Sequence, residues 1–314
     1  MNPTPSTLSD LLEHAPPDKI AIILPEQNIR ITYAALRTQV QAVAEQLAAA
    51  GVSRGDRVGI ALPNGLPMVV SFLAAALAGT AAPLNPLYKE DEFRFYLEDT
   101  AARVLLLPPS GSEEARRAAA DRVPILTVDM DAAGAVALHG IDGRKPVTPP
   151  TVDDVALVLH TSGSTGRPKR VPLTHANLSI SAGNVARCYA LGPDDVSLCV
   201  MPLFHVHGLV ASTLATLATG GTVVVPGKFS PLSFWRTAQE HGATWYSAVP
   251  TLHQLLLARV EPGSPKPAGA EKLRFIRSCS ASLPPQVMHD LMKRSRSVPA
   301  GLREVGAAAR ASSS

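Results

Sequence analysis

The chain has 314 residues, 46% of them hydrophobic and 18% charged, with a formal net charge of +3. That length has room for about two domains, and the apolar fraction supports a sizeable core and excludes wholesale disorder. Lys and Arg are dispersed without interleaved aromatics, which argues against nucleic acid as a partner. Three cysteines without a CxxC pair argue against a disulfide framework and for a reducing, cytoplasmic setting.

The first residues are polar and rich in Pro, Ser and Thr, so no secretory signal is read. Thr32 is placed to N-cap a helix through Ala50, with Leu36, Val40, Val43 and Leu47 on one face and Gly51 as its stop. Residues 57–62 read as a strand, 65–78 as a helix stopped by Gly79, 90–100 as a third helix and 103–107 as a buried strand. This alternation predicts an α/β fold with doubly wound, mostly parallel sheets. Residues 59–88 carry no charge, but Pro63, Asn64, Pro67, Pro83, Asn85 and Pro86 confine the apolar helix to about three turns. A membrane span needs roughly 20 apolar residues, so none is expected. Residues 198–225 are broken by Pro202, His205, His207 and Gly220 and read the same way.

Between residues 108 and 150 the pattern weakens, and this stretch is expected to be a surface connection closing a first α/β lobe, residues 1–150. A second, incomplete lobe spans 151–294. It opens with a strand at 155–160, and a short segment at 170–173 leads to a helix capped by Thr174 and running to about Ala190. Further alternation follows: a strand at 221–225, a helix at 231–240, a strand at 243–249, a helix at 251–260 and a strand at 273–276. Residues 295–314 carry almost no large apolar side chain and read as a disordered tail.

The most specific chemistry lies in the loop after the 155–160 strand: Thr161, Ser162, Gly163, Ser164, Thr165, Gly166, Arg167, Pro168 and Lys169. It offers backbone N–H groups, hydroxyls and one cation, the inventory that suits a polyphosphate. It is not a Walker A motif, in which lysine directly follows glycine and opens a helix. Here Pro168 fixes φ before Lys169. His205 and His207 form an H-x-H without neighbouring metal ligands, which leaves local hydrogen bonding or a pocket role open. Residues 278–283 form a small-residue turn after a strand. His160, His175, His241, His253, His289 and the three cysteines are read as structural.

Several passages resemble those of the adenylate-forming (AMP-binding) superfamily of acyl- and aryl-CoA synthetases, luciferases and peptide-synthetase adenylation domains. They are the 161–169 loop together with residues 31–36, 55–58, 62–65 and 83–88. The resemblance covers about residues 5–294. Residues 201–208, 248–254 and 275–283 are especially similar to oxalate–CoA ligase-type members. It implies that the chain forms part of a large N-terminal domain. It also implies a two-step reaction in which a carboxylate attacks the α-phosphorus of ATP, pyrophosphate leaves, and CoA thiolate then displaces AMP. Two like charges at about 4 Å repel by roughly 1 kcal/mol in water and ~4 kcal/mol at a protein surface, so Mg²⁺ and Lys169 are the implied neutralisers.

By the same resemblance Ser162, Gly163, Ser164, Thr165 and Gly166 hold phosphate with Thr161 and Lys169, and Thr165 reaches Mg²⁺ indirectly. His205 gates the acyl pocket, His207 is shared with the oxalate-type subgroup, and Ser280, Ala281 and Ser282 line the adenine and acyl site. A small or dicarboxylic acid is the implied substrate and CoA the implied co-substrate. Arg170 departs from the family, which mostly has glycine after the lysine. A Tyr-Gly-x-Thr-Glu motif, a ribose-binding aspartate and a C-terminal domain with a catalytic lysine are not found, so the expectation is a truncated member. Two alternatives are a catalytically silent chain that at most binds nucleotide, and acyl loading onto a carrier protein. The oligomeric state is not readable.

Overall fold

The computed structural model describes residues 6–161, 168–260 and 267–295. The strands are β1 (Ile20–Leu24), β2 (Ile29–Thr32), β3 (Arg57–Ile60), β4 (Thr80–Pro83), β5 (Ala102–Leu107), β6 (Ile125–Met130), β7 (Val136–His139), β8 (Val155–Thr161), β9 (Lys169–Thr174), β10 (Val196–Leu198), β11 (Thr222–Val224), β12 (Trp245–Ala248) and β13 (Phe275–Ser278). The helices are α1 (Leu8–Glu13), α2 (Tyr33–Ala49), α3 (Leu66–Ala78), α4 (Glu90–Thr100), α5 (Glu113–Ala119), α6 (His175–Cys188), α7 (Ala215–Leu217), α8 (Phe234–Glu240), α9 (Pro250–Leu257) and α10 (Pro285–Ser295). A π-helical segment, His207–Leu214, runs directly into α7.

Local chemistry explains the main boundaries. Thr32 accepts from the Ala35 amide and starts α2, and Thr174 with Asn177 forms a reciprocal capping box on α6. Gly65 precedes α3, with Pro67 in its first turn, where a missing N–H is harmless. α3 is apolar nearly all round and correspondingly buried nearly all round. It is 13 residues long, and no helix among the described residues is long and apolar enough to cross a membrane.

Two sheets form, in the strand orders β13-β12-β10-β11-β1-β2 and β7-β6-β5-β3-β4-β8-β9. Every neighbouring pair is parallel except the outer pairs β1–β2, β6–β7 and β8–β9. The α/β, mostly parallel reading is therefore correct, but two organisational expectations are not. Residues 108–150 do more than connect, because β6 and β7 extend the second sheet at its edge. Nor does either sheet stop at residue 150. β8 and β9 pair onto β4 of the earlier segment, while β1 and β2 cross to pair with β11. The periodicity of a strand shows which faces are buried but not which neighbour it takes. One large apolar cluster joins α1, α2, α3 and strands of both sheets. A second, around Tyr246, Ala248, Leu256 and Ile276, packs α8, α9 and α10 onto β12 and β13.

Candidate active site

Open parallel sheets place ligands beyond the carboxyl ends of their strands. A cavity of about 500 Å³ lies there, walled by residues that follow β4 (Asn85, Tyr88), end β8 (His160, Thr161), and follow β10 (Phe204, His205, His207), β12 (Val249) and β13 (Ser280). Thr161, His205, His207 and Ser280, which the sequence reading singled out, thus meet at one place. Lys169 is the cross-strand partner of Thr161 and is exposed at the end of β9. Ala281 and Ser282 are exposed just past Ser280. Ser162, Gly163, Ser164, Thr165 and Gly166 lie outside the described residues.

The histidine wall is held from below. Asn64, next to α3, accepts from the Leu203 amide at 2.9 Å and donates to the Met201 carbonyl at 3.3 Å. It ties the 201–203 turn of one sheet to the other. Gly208 then lets the π-helical segment press onto that turn. A Cβ there would stand 2.5 Å from the Pro202 carbonyl oxygen and 2.7 Å from that of Met201. His205 is thereby left exposed at the rim while His207, two residues on, is buried.

His207 has a polar surround that its local sequence does not announce. Its Nε2 lies 2.6 Å from Ser247 Oγ on β12. Arg277 on β13 donates from Nη1 to the same Ser247 oxygen at 3.0 Å and to Cys279 Sγ at 3.1 Å. Cys279 Sγ in turn sits 3.2 Å from each ring nitrogen of His207, and Ser280 Oγ is 3.4 Å from Nδ1. Burial pushes His207 down to about 4, helped by repulsion from Arg277, His253 and His205. The ring is therefore neutral at pH 7. Ser247 accepts from Arg277 and can give its own proton to Nε2, the arrangement in which Nδ1 carries the N–H beside Ser280. Ser280 itself adopts φ 73, a left-handed conformation uncommon outside glycine.

No group of three or more His, Cys, Asp or Glu among the described residues could hold a metal ion, and Thr165 is not among them.

Residues 12–310 match the family described as AMP-binding enzyme. The chain belongs to that family. The match extends to residue 310, beyond the expected end of the resemblance at 294; residues 296–314, expected to form a disordered tail, lie outside the described residues. As an AMP-binding family member, the chain is 42% identical over 298 residues to a probable CoA ligase, CCL9, of Humulus lupulus, covering 90% of this chain and 56% of that protein. It is 41% identical over 301 residues to an oxalate–CoA ligase of Arabidopsis thaliana, covering 91% and 58%. A sulfoacetate–CoA ligase of Cupriavidus necator is 38% identical over 275 residues, covering 86% and 53%. The fold matches ATP-bound MatB from Rhodopseudomonas palustris with a TM-score of 0.79 at 28% identity, over 93% of this chain and 58% of that one. The chain spans a little over half the length of these family members.

The sequence assigns no role to Ser247, Arg277 or Asn64, and the structural reading of His160 and Cys279 misses that one lines the cavity and the other touches His207. A signal existed only for Asn64 and for residues 277 and 279, which lie inside passages that carry the family resemblance.

Proposed function

We propose that this chain supplies the acid- and nucleotide-binding half of an ATP-dependent acid–CoA ligase acting on a small polar or dicarboxylic acid. One observation carries the reading: a single cavity has the Thr161–Lys169 hairpin on one side and, on the other, a neutral histidine backed by an arginine. In the first half-reaction the acid's carboxylate oxygen bonds to the α-phosphorus and the bond to pyrophosphate breaks. In the second, CoA sulfur bonds to the acyl carbon and AMP leaves with the former carboxylate oxygen. Lys169 and Thr161 would face the phosphates. Magnesium would enter as the counter-ion of ATP. The His207 Nδ1–H would orient the acid, and the positive Arg277 behind it favours a second anionic group over an aliphatic tail. Named relatives acting on oxalate and sulfoacetate support the same acid class.

ATP–pyrophosphate exchange on the purified chain with oxalate, malonate, sulfoacetate, acetate and hexanoate tests this. Exchange driven by the short dianionic acids is expected, and exchange confined to hexanoate would refute the acid class. Since the chain spans little over half of its relatives, nucleotide binding without turnover is the second reading. MgATP binding with no exchange for any acid would favour it. Addition of CoA or a carrier protein then distinguishes the two acceptors.

A further inference from the structure

Across the cavity from His207, one residue of α4 grips both strands of the hairpin that ends in Thr161 and Lys169. Asp99 lies in the last turn of α4. Its Oδ2 is 2.9 Å from His160 Nε2 on β8, and its backbone carbonyl accepts from Arg170 Nη1 on β9. His160 and Arg170 are direct cross-strand partners, and the next pair outward is Thr161 with Lys169. The grip therefore falls one residue pair short of the end assigned to phosphate. His160 is almost fully buried, with a side-chain exposure of 7%. Its ring packs edge-on against Tyr96 at 4.6 Å, and Tyr96 stacks on Tyr88 at 4.9 Å. Successive strand residues face opposite sides. Arg170 is accordingly turned to α4 and is not a second cation beside Lys169. β9 is the outermost strand of its sheet and half exposed, and among the described residues β8 is its one strand neighbour.

We propose that Asp99, His160 and Arg170 are positioning residues, a clasp that fixes the Thr161–Lys169 end of the hairpin and so sets the affinity for the nucleotide polyphosphate. This rests on the nucleotide reading given above. A hairpin end that is already placed loses less conformational freedom when phosphate binds, so removing the clasp weakens binding without removing any group that touches phosphate.

The test uses the full chain with His160→Ala, Asp99→Ala, their double variant, Arg170→Gly and Arg170→Lys. MgATP affinity is measured by calorimetry, and amide hydrogen exchange is followed across residues 155–161, 169–174 and, as the control, β3 and β5. Each alanine variant is expected to raise the MgATP Kd about five- to thirtyfold, with the double variant no worse than the weaker-binding single. Arg170→Gly should do the same and Arg170→Lys should recover most of the loss, a rescue that a purely structural role would not produce. Exchange should accelerate about tenfold in the hairpin alone. A Kd within twofold of wild type overturns the proposal whatever the exchange shows, and so does acceleration spread equally into β3 and β5. If the wild-type chain binds no MgATP, the nucleotide reading fails. The clasp is then judged by exchange alone, upheld by acceleration confined to the hairpin and overturned by uniform or absent acceleration.

Discussion

Acidification should destabilise this protein through His207 before its paired carboxylates are titrated. His207 is held at about 4, against an ordinary histidine value of 6.5 in the unfolded chain. Between those values the unfolded chain takes up a proton that the native state refuses, so stability falls as pH falls. At one pK unit per ~1.4 kcal/mol, moving from pH 7 to pH 4.5 removes about 2.5 kcal/mol through this residue, a large share of a typical total of about 5–15 kcal/mol. Buried His253, also at about 4, acts in the same window. It repels charge on His207, so the two do not add as independent sites. Asp154, whose carboxyl is lowered below 3.8 chiefly by the Thr151 amide, loses its contribution only at still lower pH. Urea unfolding of wild type and His207→Gln, followed by tryptophan fluorescence from pH 4.5 to 7.5, measures the difference. The glutamine variant keeps a polar side chain but cannot protonate, and its stability should decline less steeply by up to ~1.4 kcal/mol per pH unit. Superimposable slopes for the two proteins would show that His207 is not held neutral by its surround.

Other substitutions separate the roles within the site. His207→Leu should move acid preference in the exchange assay from short dianions toward apolar acids, and an unchanged profile would remove His207 from acid recognition. Gly208→Ala places a methyl against two backbone carbonyls. It should lower stability by about 2 kcal/mol or more and disturb the His205–His207 turn, seen as a lower melting temperature and altered histidine NMR shifts. Arg274→Ala strips the charge partner from Asp195, which is 4% exposed and also accepts from Thr244 and the Gly192 amide. A loss of roughly 3 kcal/mol in urea unfolding is expected, and a loss under 1 kcal/mol would mean that the remaining donors suffice. Asn64→Ala should cost about 1–3 kcal/mol for its two lost hydrogen bonds and reduce exchange activity as well, because the 201–203 turn loses its tie to the other sheet.

The helices were legible because their signals are local. Thr32, Gly65 and Thr174 mark starts within a residue of where α2, α3 and α6 begin, and the predicted 90–100 helix is α4 itself. Strand partnership was not legible. Nothing near Ile22 announces Val223, and nothing near Leu157 announces Ala81. The site divides in the same way. Thr161, His205, His207 and Ser280 stand out by motif and share one cavity. Ser247 reaches His207 directly and Arg277 reaches it through Ser247, from two adjacent parallel strands 40 and 70 residues away in sequence, where no spacing rule operates. The π-helical segment from His207 was also invisible to a 3.6-residue period, since its wider turns shift the buried face.

The crossing of β1 and β2 into the later sheet has a consequence for synthesis. The parallel neighbour of β1, β11, begins at Thr222, so the hairpin leaves the ribosome about two hundred residues before the strand it needs. At about 5–20 residues per second that is an interval of roughly 10–40 s. An isolated two-stranded ribbon is marginally stable in water, and this one carries a nearly unbroken apolar run from Ile20 to Leu24. The nascent chain therefore passes through a stage in which its earliest strand pair is a target for chaperones or for another nascent copy.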